Sequence, residues 1–284
     1  MSPGKVRRPA VAGTFYAGDP VSLKRQIEEC FKSPIGPGRL PGPSPRGEKR
    51  IISLISPHAG YMYSGPVAAH GYLSLAESYR PSLVILLGPN HTGMGSGVSL
   101  MASGIWETPL GRVEIDEEVA REIHRLSGII DLDDLAHLGE HSIEVQLPFL
   151  QYIMGGFKIV PIAMMMQDLA TSREVGRAVG EAVKGRDALI IASTDFTHYE
   201  SQSEAERKDG KVIEAILSLD EEKVIDTVYR YNVSMCGYGP VAAAVTASKI
   251  LGAEKATLLK YATSGDVTGD RYQVVGYASI ELTA

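Results

Sequence analysis

The chain has 284 residues, 44% hydrophobic and 22% charged, with a net charge of -6 and two cysteines. That balance suits a globular protein able to bury a sizeable core, and the lack of a basic cluster argues against nucleic acid as a partner. Two cysteines make no disulfide framework, no apolar run approaches the roughly 20 residues of a membrane span, and the basic residues 1–8 lack the apolar stretch of a secretory leader, so the expectation is a cytoplasmic protein with no membrane partner.

Residues 9–16 are an apolar opening segment. Asp19 and Pro20 then read as the N-cap and first residue of a helix whose stripe is Leu23, Ile27, Cys30 and Phe31, which makes Cys30 a core residue. Residues 33–49 are rich in proline and glycine and read as a loop inside one domain spanning 1–284. The β-forming run 50–55 ends in Ser56-Pro57-His58-Ala59-Gly60-Tyr61. A helix is expected over 66–78, with His70 off its stripe and facing solvent. The next run, 82–87, ends in Gly88-Pro89-Asn90-His91. Strands follow near 98–101 and 111–115, then a helix capped by Asp116 with His124 at the surface.

In the stretch 140–149, a helix would place His141 and Glu144 on one face with Glu140 beside it. A strand over 157–163 and a helix capped by Asp168 lead to the run 187–192, which ends in Ser193-Thr194-Asp195-Phe196-Thr197-His198. Two helices, near 202–217 and 221–230, precede Met235-Cys236-Gly237-Tyr238-Gly239-Pro240. Pro240 is placed to start a helix of small residues, and the dipole of that helix would favour a thiolate at Cys236. The glycines flanking Tyr238 allow close approach of backbone to a ligand. Two strand-like segments, 255–262 and 272–282, close the chain.

Uninterrupted apolar runs bounded by turn residues read as buried parallel strands, and open α/β sheets collect ligands outside the carboxyl ends of such strands. His58, His91, Asp195 and His198 should therefore meet at one sheet edge. His58, His91 and Cys236 supply two imidazoles and a thiolate, a set that suits zinc, iron(II) or copper with positions left for water or substrate. Asp195 and His198 are spaced for general acid–base work beside that metal.

The segments PAVAGTFY, SPHAGYMYSG, LLGPNHTG, EHSIEVQLPFL, STDFTHY and MCGYGP together resemble the Memo family, which is similar in fold to the class III (LigB-type) extradiol dioxygenases. The resemblance implies a single α/β domain with a central, mostly parallel sheet, helices on both faces, and a metal pocket at the strand ends. It also matches His58, His91 and Cys236 to metal ligands, and Asp195 and His198 to pocket residues, His198 being the counterpart of the dioxygenases' catalytic histidine. His141, Glu144, Tyr61 and Tyr238 fall in the matching segments as residues that contact a substrate or support the ligands. One departure stands out. Extradiol dioxygenases hold iron(II) with two histidines and a carboxylate, whereas the third position here is Cys236, softer and itself oxidisable. The implied function is a non-haem iron or copper oxidoreductase of unknown substrate. Two alternatives stand beside it: a zinc hydrolase, and a non-catalytic protein that binds a peptide or handles metal.

Overall fold

A computed structural model describes residues 5–42, 47 and 50–284 of the chain. It begins with β1 (Val6–Arg7), α1 (Pro20–Lys32), β2 (Ile51–Ser56), α2 (Tyr61–Ser78), β3 (Leu83–Pro89) and β4 (Val98–Leu100). The middle holds β5 (Ile105–Thr108), β6 (Gly111–Ile115), α3 (Glu117–Leu126), β7 (Asp131–Leu132), α4 (Leu135–Leu138), a 3-10 turn (Glu144–Gln146), α5 (Leu147–Ile153), β8 (Lys158–Met164) and α6 (Leu169–Val183). The last third holds β9 (Ala188–Ser193), β10 (His198–Glu200), α7 (Gln202–Leu217), α8 (Glu221–Tyr231), α9 (Tyr238–Ile250), β11 (Lys255–Thr263), α10 (Ser264–Thr268) and β12 (Val274–Thr283).

Among the described residues the strands form one twelve-stranded sheet with the path β1-β5-β6-β8-β3-β9-β2-β12-β10, to which β11, β4 and β7 attach at the sides. From β6 through β8, β3 and β9 to β2 every neighbour is parallel, and β12 joins β2 antiparallel. The strands β2 and β3 are buried at every residue, as expected of parallel strands covered on both faces. Successive side chains of β2 reach opposite layers: the Ser53 hydroxyl lies 2.5 Å from that of Ser248 in α9, while Leu54 packs against Gly71 in α2. The α2 layer includes α1 and α5, and the α9 layer includes α6 and α8.

Local capping chemistry sets most helix starts. Asp19, Asp116 and Asp168 accept hydrogen bonds from first-turn N–H groups of α1, α3 and α6. Two starts differ from the sequence expectation. Helix α2 begins at Tyr61, with Pro66 inside it, because the carbonyl of Phe15 accepts the Tyr61 N–H at 2.8 Å and supplies the missing cap from a distant segment. Helix α9 begins at Tyr238, with Gly237 as N-cap, so Pro240 lies in its first turn. The sequence reading also passed over β5, a short strand that pairs antiparallel with β6 and parallel with β1. Of the loop expected over 33–49, residues 43–46 and 48–49 lie outside the described residues, and residues 33–42 hold turns and coil.

His70 and His124 do not face open solvent as expected. Each is half-buried and bonded to a main-chain carbonyl, His70 to Ile35 at 2.9 Å and His124 to Ile130 at 2.7 Å. Cys30 is buried in α1, against α2.

Candidate metal centre

Because β3, β9 and β2 are adjacent and parallel, their carboxyl ends lie side by side. His58, His91 and Asp195 each stand just beyond one of these ends. A fourth group arrives from the turn before α5. Gly88, at the end of β3, makes room for it: a Cβ there would meet the Ser142 hydroxyl at 2.6 Å and Ile143 at 2.8 Å. The segment 140–143 can therefore lie directly on β3, and His141 comes to rest against His91, ring centroids 4.7 Å apart and nearly parallel. His58 meets both rings edge-on, at 5.2 Å from His91 and 5.4 Å from His141. One nitrogen from each of the three imidazoles falls within 4.8 Å of the others, close enough for a shared metal ion.

Hydrogen bonding sets which nitrogen each ring presents. The Ser193 hydroxyl donates to the Ser142 carbonyl at 2.6 Å and accepts from the Gln146 amide at 2.7 Å, so its contact with His58 Nδ1 at 2.8 Å is an N–H donated by the ring. His91 Nδ1 faces a Glu140 carboxylate oxygen at 2.9 Å, which only accepts. His198 Nδ1 faces the Ser234 carbonyl at 2.7 Å, which also only accepts. In all three Nε2 carries the lone pair that a metal, a substrate or a proton could take, and in His58 that nitrogen faces the Cys236 sulfur.

Cys236 sits beyond the His58 ring. Its Sγ is 3.3 Å from His58 Nε2 and accepts the Asp195 N–H at 3.2 Å. The chain reaches this position because Gly237 passes tightly over β9, where a Cβ would meet the Ser193 carbonyl at 2.4 Å. Burial, reinforced by the nearby Asp195 charge, pushes the Cys236 thiol up.

The other groups are tuned by the same burial. His58 is pushed well below the usual histidine range by burial and by its neighbours His141 and His91. Burial also lowers His141. Asp195 is pushed up to about 6 by burial, although its carboxylate accepts the His58 N–H at 2.8 Å. For Glu140 burial acts upward, but hydrogen bonds from His91 and the Ser142 N–H hold it at about 2.

A cavity of about 410 Å³ opens onto these groups. His58, His91, His141, Asp195 and His198 line its floor, and Phe15, Tyr63, Tyr199 and Val275 are among its walls. Tyr199 is exposed and held at φ 58°, a conformation rare for a side chain of its size. The remaining residues singled out from the sequence lie elsewhere. Glu144 faces the amino-terminal segment, where it pairs with Arg7 and accepts from the Tyr16 hydroxyl at 2.5 Å and the N–H groups of Ala10 and Val11. Tyr61 is buried and donates to the Val145 carbonyl at 2.7 Å. Tyr238 pairs with Tyr229, ring centroids 5.8 Å apart. Glu140, read from sequence only as a flanking residue, is the carboxylate that touches His91.

The segment 7–281 matches the family described as Memo-like protein. The chain is 56% identical to a MEMO1 family protein of Methanothermobacter thermautotrophicus over 277 residues, covering 97% of this chain and 99% of that protein. It is also 56% identical to one from Methanopyrus kandleri, covering 96% and 98%. Among solved structures, an uncharacterized protein of Escherichia coli K12 superposes with a TM-score of 0.52 at 14% identity, covering 81% of this chain and 99% of that one, which is a likeness of fold.

Proposed function

Since the chain belongs to the Memo-like family, we propose that its pocket is the metal centre of a non-haem iron or copper oxidoreductase. The observation that carries this reading is the convergence of three imidazoles within 4.8 Å. The donor set fits a metal: His58 and His91 each have Nδ1 engaged by a protein acceptor, which leaves Nε2 as a ligand atom. His58 and His91 form the fixed pair. The candidates for the third position are His141, which belongs to the cluster of three imidazoles, and Cys236, whose Sγ lies 3.3 Å from His58 Nε2. When bound, iron or copper would supply oxygen and one-electron chemistry to a substrate in the cavity.

The chain's own groups would handle the protons. His198 has an Nε2 lone pair and an Nδ1–H fixed on Ser234, so it can accept a proton and return it. Asp195, with its carboxyl near 6, can exist in either protonation state close to neutrality. The aromatic walls would exclude water from the reacting groups. A second reading has its own support. Three histidines with an open position also make a catalytic zinc set, and that favours zinc hydrolysis if zinc is the native metal.

The test is metal content after anaerobic purification of the wild type, His58→Ala, His91→Ala, His141→Ala and Cys236→Ser. The expected result is one iron or copper ion per chain, lost in His58→Ala and His91→Ala and in one of the other two. Zinc alone would favour hydrolysis. No metal in the wild type, and no uptake on reconstitution, would remove the reading.

A further inference from the structure

Glu140 does more than touch one ring. It is 1% exposed, and its two oxygens receive four N–H groups. Oε1 accepts from the His91 ring at 2.9 Å and from the main chain of His141 and Ser142, each at 2.8 Å. Oε2 accepts from the main chain of His91 at 2.5 Å. The His141 ring lies beside the same carboxylate, its Nδ1 3.4 Å from Oε1. The peptide of Glu140 is itself anchored, because its carbonyl accepts from the buried Arg7 guanidinium at 2.6 Å.

We propose that Glu140 is the positioning residue of the metal centre, one carboxylate that sets the His91 and His141 imidazoles as a unit. This rests on the metal reading above. Its role differs in kind from that of Ser193, whose hydroxyl touches one of the three rings, His58, besides the Ser142 carbonyl and the Gln146 amide. A carboxylate on Nδ1–H fixes the tautomer and makes Nε2 a better donor. It also ties the loop after β3 to the turn before α5, so the stacked pair cannot separate. An amide cannot replace it. All four neighbours of Glu140 are donors, and a glutamine must point its NH₂ group at either the His91 main-chain N–H or the three N–H groups on the other side.

The experiment compares cobalt(II) binding to the wild type, Glu140→Gln and Ser193→Ala, by competition titration and visible absorption. It adds ¹⁵N NMR of the histidine rings in metal-free wild type. The expected result is His91 protonated at Nδ1 in the wild type, with cobalt affinity lowered ~100-fold in Glu140→Gln and ~10-fold in Ser193→Ala. The cobalt absorption bands should shift in Glu140→Gln, which a general loss of stability would not produce. Wild type that binds no cobalt overturns the metal reading, and this proposal with it. Wild type that binds cobalt overturns this proposal alone if Glu140→Gln binds equally well, or if Ser193→Ala loses as much. The NMR result stands even if Glu140→Gln does not fold: a His91 proton on Nε2 in the wild type also overturns it.

Discussion

The Arg7 and Glu144 side chains have no solvent-exposed surface and face each other as an ion pair. Removing one partner of such a pair strands the other charge in the interior, at a cost of about 3–5 kcal/mol. Arg7→Met should lower the urea midpoint by a corresponding amount, and an unchanged midpoint would refute this account of the pair. His137 gives a pH dependence with a definite sign. It is fully buried, bonded through Nε2 to the Ser99 carbonyl, and pushed down to about 4 by burial. The unfolded chain takes up a proton there near pH 6.5, while the folded chain does so only near 4. Stability from this group is therefore complete above 6.5 and declines as pH falls through that window, by about 3 kcal/mol. Urea midpoints at pH 7 and 4.5 should converge in His137→Asn relative to the wild type. At this scale His58 and His91 were legible because each ends an apolar run. Glu140 and His141 were harder to read. Their grouping on one face depends on the stretch being helical from 140 onward, whereas the helical turn starts only at Glu144, so the side chains point in directions that helical spacing does not give.

Helix α9 and the Cys236 loop before it are positioned by contact without side chains. A Cβ on Gly176 of α6 would lie 2.4 Å from the Ala243 carbonyl of α9, and one on Gly180 would lie 3.2 Å from Ala247. Gly176→Leu should push the two helices apart and destabilise the fold by about 1–3 kcal/mol. Metal affinity should fall with it if Cys236 is a ligand. The same substitution at Gly210 of α7, where a Cβ would meet nothing within 4 Å, is the control. Sequence reading placed those elements whose signals are local: the Asp-capped α1, α3 and α6, and the apolar β2, β3 and β9. It misplaced the start of α2, where the cap is the carbonyl of Phe15, and it passed over β5, whose partners β1 and β6 give little signal in so short a run. Contacts between segments far apart in sequence decide such cases, and a window of a few residues does not contain them.

Across the whole molecule, a metal held by groups from two strand ends and a segment distant in sequence would stabilise the folded state, since the unfolded chain does not present the site. Metal at a hundred times its dissociation constant contributes about 2.7 kcal/mol. Chelator-treated protein should therefore gain several degrees in Tm on addition of zinc or iron(II), and His58→Ala should gain none. Among the described residues no helix is long and apolar enough to cross a membrane. The sheet order carries a further consequence. Strand β2 brings His58, yet its two neighbours are β9 and β12, which the ribosome makes much later. Until residues 274–283 emerge, β2 has an unpaired edge and the pocket lacks Val275, one of its walls. Long-range pairing of this kind delays folding. The strand that brings His58 to the pocket therefore completes its pairing only when the last strand of the sheet docks on it.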